Sequence, residues 1–358
     1  MDYIHKDRIL ALQALMAHAT SVVVVGHTHP DGDALGSTSA LALYLQSAGI
    51  PEVSVVYSDS PADNLHFILP ENVLFHFHDK EAQKAEESIR KADLLFLVDC
   101  NSFQRTEALQ GPLEASQARK VLIDHHLNPD VNAFDLVFST PDISSASELL
   151  YWILVQLMKG SVAPSGASAF SSVPGGATLP IPIGTALLAG MTTDTNNFAN
   201  SVYPSTFQMA SELIAAGVDR DALLQKLYSS YRENRVRLMG YMQYEGLHIL
   251  PCGAAYMILS QDIQQRFDLK EGESEGLVNV PLTIGAVRLS VLLKEDQGHF
   301  RVSIRSKKGT SAQQLAQSRF HGGGHENAAG GKLFIGQDIP CAEDAAAYVE
   351  NVLNTYLS

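Results

Sequence analysis

One pattern constrains this chain before any other: short apolar runs alternate with helical stretches, and several runs end in acidic or histidine side chains. Ser21–Gly26 reads SVVVVG, and a helical stretch follows over Ala34–Ser47. Val53–Tyr57 is a second run, Leu94–Val98 (LLFLV) a third and Val121–Ile123 a fourth. Ser144–Met158 has the spacing of an amphipathic helix, with serine at its start. Runs that are apolar at every residue belong to strands buried on both faces. Their alternation with helices predicts an α/β fold with a mostly parallel sheet covered by helices on both sides.

A chain of 358 residues suits two domains. The first is expected over 1–203. A charged helical linker follows over 204–245, and a smaller α/β domain over 246–358. In the last, strands are expected at Ala254–Leu259, Val287–Leu293 and Phe300–Ile304, then a glycine-rich turn and a final helix near Cys341–Leu357. Lys159–Pro182 is rich in Gly, Ser, Ala and Pro and reads as a loop or insertion with no assigned function. No apolar run reaches the ~18 residues of a membrane helix, and MDYIHKDRIL is not a secretory signal. The three cysteines lack metal-site spacing and read as reduced thiols. The expectation is a cytoplasmic protein with no membrane partner.

The net charge of −14 argues against broad binding to long nucleic acid, which requires many phosphates to be neutralised. The charge is uneven. Arg288–Lys332 holds eight Lys or Arg and three acids, a local excess of +5. One basic segment in an acidic chain suits a small anionic ligand, although a solvated strand face carries charge in the same way.

Four acid and histidine clusters stand where strands or helices end. GHTHPDGD follows SVVVVG and offers His27, Asp31 and Asp33. Asp99 follows LLFLV. LIDHH places Asp124, His125 and His126 directly after a strand, and Asp194 in GMTTDT closes an apolar helical stretch. Ligands of open parallel sheets bind beyond the carboxyl ends of the strands, so these clusters are expected to converge. Packed carboxylates repel unless cations neutralise them. Imidazole mixed with carboxylate suits Mn²⁺, Fe²⁺ or Co²⁺. Six ligands exceed what one open catalytic ion needs, so two ions sharing a carboxylate are expected. Any one of these residues alone reads as a turn or cap; the set does not. His29, His66, His76 and His78 are read as structural, with His76 and His78 on a strand face.

A fifth cluster is HGGGHENAAGG, His321–Gly331. Consecutive glycines let backbone N–H groups approach a phosphate, and a helix starting after them would favour the anion. His325 could donate a further hydrogen bond.

GHTHPDGDALGS, LVDCNSFQRT, LIDHH, GMTTDT and GGGHENAAGG, in this order, resemble the DHH phosphoesterase superfamily with its DHH-associated C-terminal domain. The likeness is to the short bacterial branch of nanoRNases and phosphoadenosine-phosphate phosphatases, related to the exonuclease RecJ. It covers nearly the whole chain. It implies a DHH domain, a smaller substrate-binding domain and a cleft between them, with two Mn²⁺ in the first domain. It matches His27 and Asp31 to one ion, Asp33, His125 and Asp194 to the other, and Asp99 to the bridge. It gives Asp124 a supporting role behind the histidines, His126 a place facing the scissile phosphate, and Arg105 a catalytic one. Arg305, Asn279, Gly323, Gly324 and His325 match substrate contacts. Relatives carry Gly soon after the fourth aspartate, whereas this chain reads DTNNF; Asn196 tolerates a left-handed backbone almost as well.

The substrates implied are short RNA and 3′-phosphoadenosine 5′-phosphate. Cyclic dinucleotides or their linear products come next, then pyrophosphate or polyphosphate, and last a nucleotide sensor without catalysis. All six matching ligand positions are filled, which opposes the sensor. A homodimer is the base-rate expectation.

Overall fold

The computed structural model describes residues 4–160, 172–173, 176–177 and 179–358. Most of the expected 159–182 loop lies outside the described residues. Two compact units result, Met1–Ser230 and Tyr231–Ser358.

The first unit is built on six strands: β1 (Ser21–Val25), β2 (Glu52–Tyr57), β3 (Leu74–Phe77), β4 (Leu94–Val98), β5 (Arg119–Asp124) and β6 (Leu136–Ser139). Their order is β3-β2-β1-β4-β5-β6, and every pairing is parallel. The apolar runs explain the layers. Val22 and Val24 of β1, with Leu94 and Phe96 of β4, face one core. Val23 and Val25, with Leu95 and Leu97, face another. Helices α1 (Lys6–His18), α2 (Gly32–Ser47), α5 (Ala146–Gly160), α6 (Ile181–Asp194), α7 (Pro204–Ala215) and α8 (Arg220–Tyr228) bury residues in the first core. Helices α3 (His78–Lys91) and α4 (Gln110–Ala115) bury Ala85, Ile89 and Leu113 in the second. A two-stranded hairpin joins β7 (Ser172–Val173) to β8 (Gly176–Ala177).

Beyond β1 the chain crosses to β2 on one side, and β4 lies on the other. The strand order therefore reverses between β1 and β4, where an open parallel sheet leaves a crevice at its carboxyl edge. Strands β3 and β6 escape the apolar-run criterion because they are short edge strands with part-exposed residues. His76 does lie on β3, buried beside Glu81 at 3.2 Å; His78 instead opens α3 and meets Glu86.

The second unit is a mixed sheet in the order β13-β14-β12-β11-β10-β9. Its strands are β9 (His248–Ile249), β10 (Ala254–Leu259), β11 (Leu289–Asp296), β12 (His299–Ser306), β13 (Gly323–His325) and β14 (Ala328–Phe334). Only β10 and β11 pair in parallel. Helices α11 (Ala312–Arg319) and α12 (Ala345–Leu357) cover one face. The other packs against α9 (Glu233–Tyr244), α10 (Gln261–Arg266) and the turn Leu277–Thr283. The 204–245 segment is three short helices: α7 and α8 belong to the first unit and α9 to the second.

Helices α2 and α6 approach closely because both present small residues. A Cβ added at Gly36 would lie 2.5 Å from the Ala186 carbonyl and 2.9 Å from the Gly190 nitrogen. A Cβ at Gly190 would lie 2.7 Å from Asp33 Oδ1. The pair runs antiparallel, since Gly32 at the start of α2 meets Thr193 near the end of α6. That contact brings Asp33 to Asp194. Gly36→Val is expected to cost about 1–3 kcal/mol through overpacking against backbone that cannot yield. Urea denaturation followed by circular dichroism checks this; an unchanged midpoint would mean that the helices can part freely.

Candidate metal centre

Each side chain of the centre is set by local structure. After β1 the chain turns through Pro30, and Asp31 becomes the N-cap of α2, its Oδ1 accepting from the N–H groups of Asp33 at 3.0 Å and Ala34 at 3.1 Å. The His27 ring donates from Nδ1 to the Thr28 carbonyl at 2.7 Å, which leaves Nε2 as the nitrogen with a lone pair. That Nε2 stands 3.8 Å from Asp31 Oδ1 and 3.5 Å from Asp99 Oδ2. Asp99 follows β4 in a left-handed conformation with φ 55°. Such a backbone costs a non-glycine residue energy, less for aspartate than for most.

On the other side of Asp99, His125 Nε2 lies 3.3 Å from Asp99 Oδ1, 3.6 Å from Asp194 Oδ2 and 3.9 Å from Asp33 Oδ2. Asp33 is buried and held by both oxygens: Oδ2 accepts from Ala146 N–H at 2.7 Å and Oδ1 from Ser147 N–H at 3.0 Å. These are the first N–H groups of α5, so a helix N-terminus meets the carboxylate. The start of α5 is itself braced. Ser145 caps the Glu148 N–H at 3.0 Å, and buried Glu148 accepts from Ser144 and, at 2.7 Å, from Thr206. The S-x-x-E spacing of Ser145 and Glu148 is a capping signal legible in the sequence.

Two triads therefore form, His27 with Asp31 and Asp99, and Asp33 with His125 and Asp194. Asp99 turns one oxygen to the His27 side and the other to His125. Donors about 2.1 Å from one ion lie ~3.0–3.4 Å apart, so the separations here suit coordination spheres open by a few tenths of an ångström. The fit has a second sign. Asp99 Oδ1 is buried and makes no hydrogen bond among the described residues, although His125 Nε2 is near. An ionised oxygen so placed needs positive charge beside it, which a divalent cation or a protonated imidazole supplies.

Electrostatics point the same way. Burial, then the charges of Asp99 and Asp194, push the Asp33 carboxyl well above its ordinary range. Burial acts to raise Asp99 too, but the imidazoles of His125, His27 and His126 outweigh it and hold it well below that range. Burial would lower the His125 imidazole, yet Asp194, Asp99 and Asp33 drive it up to about 10. Without metal, carboxylates and imidazoles thus share protons where divalent cations would serve.

His126 lies beside Asp99, its Nδ1 3.6 Å from Asp99 Oδ1. Its Nδ1 donates to Asp124 Oδ1 at 2.8 Å, and its N–H donates to Asp124 Oδ2 at 3.1 Å. Fully buried Asp124 thus orients His126. Burial pushes the His126 imidazole below its usual value despite Asp124. Arg105 lies in the short helical stretch Phe103–Leu109, and its carbonyl accepts the Thr28 N–H at 2.9 Å. Its charge acts to lower both His27 and His126.

The candidates of the second unit form another group. Arg305 and His325 are both register partners of Ala328, so strands β12, β14 and β13 set Arg305, Ala328 and His325 in one row. Asn279 lies in the turn Leu277–Thr283, which packs on β11 and β12. The glycine-rich segment corrects an expectation: it is the hairpin β13–β14, and a strand, not a helix N-terminus, follows the glycines. Several glycines answer to packing. A Cβ on Gly331 would lie 2.9 Å from Phe320 Cβ, and Gly324, at φ 140°, faces the Ala328 carbonyl. Gly323 alone of its run looks onto open space. Nor is the basic segment one bare patch. Lys294 and Arg301 pair with Glu271, while Arg288 and Lys307 are spent on backbone carbonyls. Asn196 has the left-handed backbone expected, φ 48°, and Asn197 and Phe198 continue it.

A sheet crevice that gathers four carboxylates and paired imidazoles is suited to divalent metal ions. The chain matches the DHH family, N-terminal domain, over residues 21–170 and the DHHA1 domain over 254–353. It belongs to the DHH phosphoesterase superfamily. It is similar to a protein of Streptococcus mutans named probable bifunctional oligoribonuclease and PAP phosphatase NrnA, 29% identical over 320 residues, 88% of this chain and 90% of that one. It is 27% identical over 333 residues to the cyclic-di-AMP phosphodiesterase GdpP of Geobacillus thermodenitrificans, covering 90% of this chain and 46% of that protein. Its fold is that of an exopolyphosphatase-related protein from Bacteroides fragilis, with a TM-score of 0.85 and 31% identity over 99% of this chain and 97% of that one.

His125 and His126 should titrate oppositely in metal-free protein. His125, raised to about 10, stays cationic through pH 6–8, whereas His126, lowered by burial, gives up its proton below the ordinary imidazole value. The His125 charge stabilises the metal-free fold fully below its unfolded value of roughly 6.5, and that contribution is lost as pH rises through its folded value. Imidazole ¹⁵N shifts of chelator-treated protein check this; two imidazoles titrating together near 6.5 would contradict it.

Proposed function

We propose that this chain is a manganese-dependent phosphodiesterase and phosphatase that hydrolyses short oligoribonucleotides and 3′-phosphoadenosine 5′-phosphate. The observation that carries the reading is Asp99, whose two oxygens serve two triads at the switch point of the sheet. The Streptococcus mutans relative, named for these two activities, supports the substrates across nearly its full length. The donor set of imidazole and carboxylate without thiolate supports manganese among first-row ions.

His27, Asp31 and Asp99 would hold one ion, and Asp33, Asp99, His125 and Asp194 the other. Cations bound there supply Lewis acidity, activating a water and offsetting phosphate charge. His126, fixed by Asp124 through Nδ1, would present Nε2 to the phosphate, where, after taking a proton from solvent, it would give that proton to the leaving sugar oxygen. Arg105 adds positive charge beside His27 and His126. In the second unit, Arg305, Asn279, Gly323, Gly324 and His325 are assigned to holding the nucleotide; open space over Gly323 suits a close approach to its backbone. A second reading, hydrolysis of a cyclic dinucleotide, draws on the likeness to the cyclic-di-AMP phosphodiesterase, of which this chain spans about half.

Purified protein with Mn²⁺ should cleave dinucleotides and phosphoadenosine phosphate faster than cyclic dinucleotides or pyrophosphate. Asp99→Ala and His126→Ala should each lower kcat by at least about 10²-fold. Undiminished Mn²⁺-dependent hydrolysis by either variant would refute its role, and a preference for the cyclic substrate would favour the second reading.

A further inference from the structure

The loop between β1 and α2 carries His27 and Asp31, and something must hold the backbone between them. Thr28, His29 and Pro30 occupy that stretch, and His29 has φ 51°, a left-handed conformation that costs energy unless it is pinned. The pin comes from Asp59, just beyond the end of β2. One carboxylate oxygen, Oδ2, accepts from the Thr28 hydroxyl and from the His29 N–H at 2.9 Å, and lies 3.5 Å from His29 Nδ1. From the opposite side the Arg105 carbonyl accepts the Thr28 N–H at 2.9 Å. Thr28 is also the residue whose carbonyl orients the His27 ring.

We infer that Asp59 is a positioning residue for the His27–Asp31 half of the centre. Its contacts converge on two of the three residues that separate those ligands, and among the described residues its side-chain contacts are with Thr28 and His29 rather than with Asp33, His125 or Asp194. Asp59 therefore acts on one ion and leaves the other alone. The inference rests on the dinuclear reading proposed above. Because the contacts meet at one oxygen, the role needs an acceptor rather than a charge, and an asparagine amide oxygen can supply it.

The test is Mn²⁺ binding by equilibrium dialysis, with electron paramagnetic resonance to distinguish paired from isolated ions. Wild-type chain should take up two ions. Asp59→Ala should keep one at wild-type affinity and bind the other about 10- to 100-fold more weakly, with loss of the paired signal at limiting metal. Asp59→Asn should restore both, and Thr28→Val, which removes one contact, should fall between. The thermal midpoint of metal-free protein reports folding separately; should Asp59→Ala fail to fold, Thr28→Val alone carries the test. Two ions bound at wild-type affinity by Asp59→Ala, or by Thr28→Val, would overturn the role, as would equal weakening of both. Fewer than two ions in wild type would overturn the dinuclear reading and this role with it, whereas a failure confined to Asp59 leaves that reading standing.

Discussion

Repulsion among carboxylates at the carboxyl edge of the first sheet is the constraint on which the rest depends. Asp31, Asp33, Asp99 and Asp194 come from three separate places in the chain, and three of the four acids approach the His125 nitrogen within 4 Å. Such an assembly is unfavourable by itself, and the fold must enforce it. Burial of the apolar strands supplies the force. Close approach of α2 to α6 fixes one pair of acids, and the start of α5 caps Asp33 from a third direction. Phosphate-ester chemistry then follows from the electrostatics: a crevice that favours divalent cations also draws the oxygens of a phosphate once the cations are in place.

The legible part of this protein was what its strands dictate. SVVVVG and LLFLV leave no solvent face, so a doubly covered parallel sheet was readable, and so was the place where His27 and Asp99 emerge. LIDHH and GMTTDT were readable for the same reason: each closes an apolar element. Edge strands β3 and β6 were not, because pairing on one side spares them the need for continuous apolar residues. Asp59 was illegible because YSDSP reads as an ordinary turn; its value lies in where β2 sits beside β1, a fact of topology. The hairpin β13–β14 misled for a related reason. Glycines that permit close chain contact and glycines that admit a phosphate look identical in sequence, and only the positions of Phe320 and Ala328 separate them.

The two units differ in how they use histidine. In the first, His27 and His126 each donate Nδ1–H to a fixed acceptor, the Thr28 carbonyl and the Asp124 carboxylate, so their Nε2 atoms are committed as bases. In the second, His321 Nε2 pairs with Asp338 at 3.0 Å and braces the entry to the hairpin. His325 lies across β14 from Arg305 with only Ala328 between their strands, a spacing of roughly 10 Å that two neighbouring ladders set.

The grip of α5 on Asp33 has one more consequence. With both oxygens tied to backbone N–H groups, this carboxylate keeps its orientation whether or not a cation is near. The cradle is therefore preformed, unlike small zinc modules that collapse on chelation. Asp33 would then offer the same face to whichever divalent ion arrives, so the ion bound would follow the supply around it as much as the cradle's own selectivity.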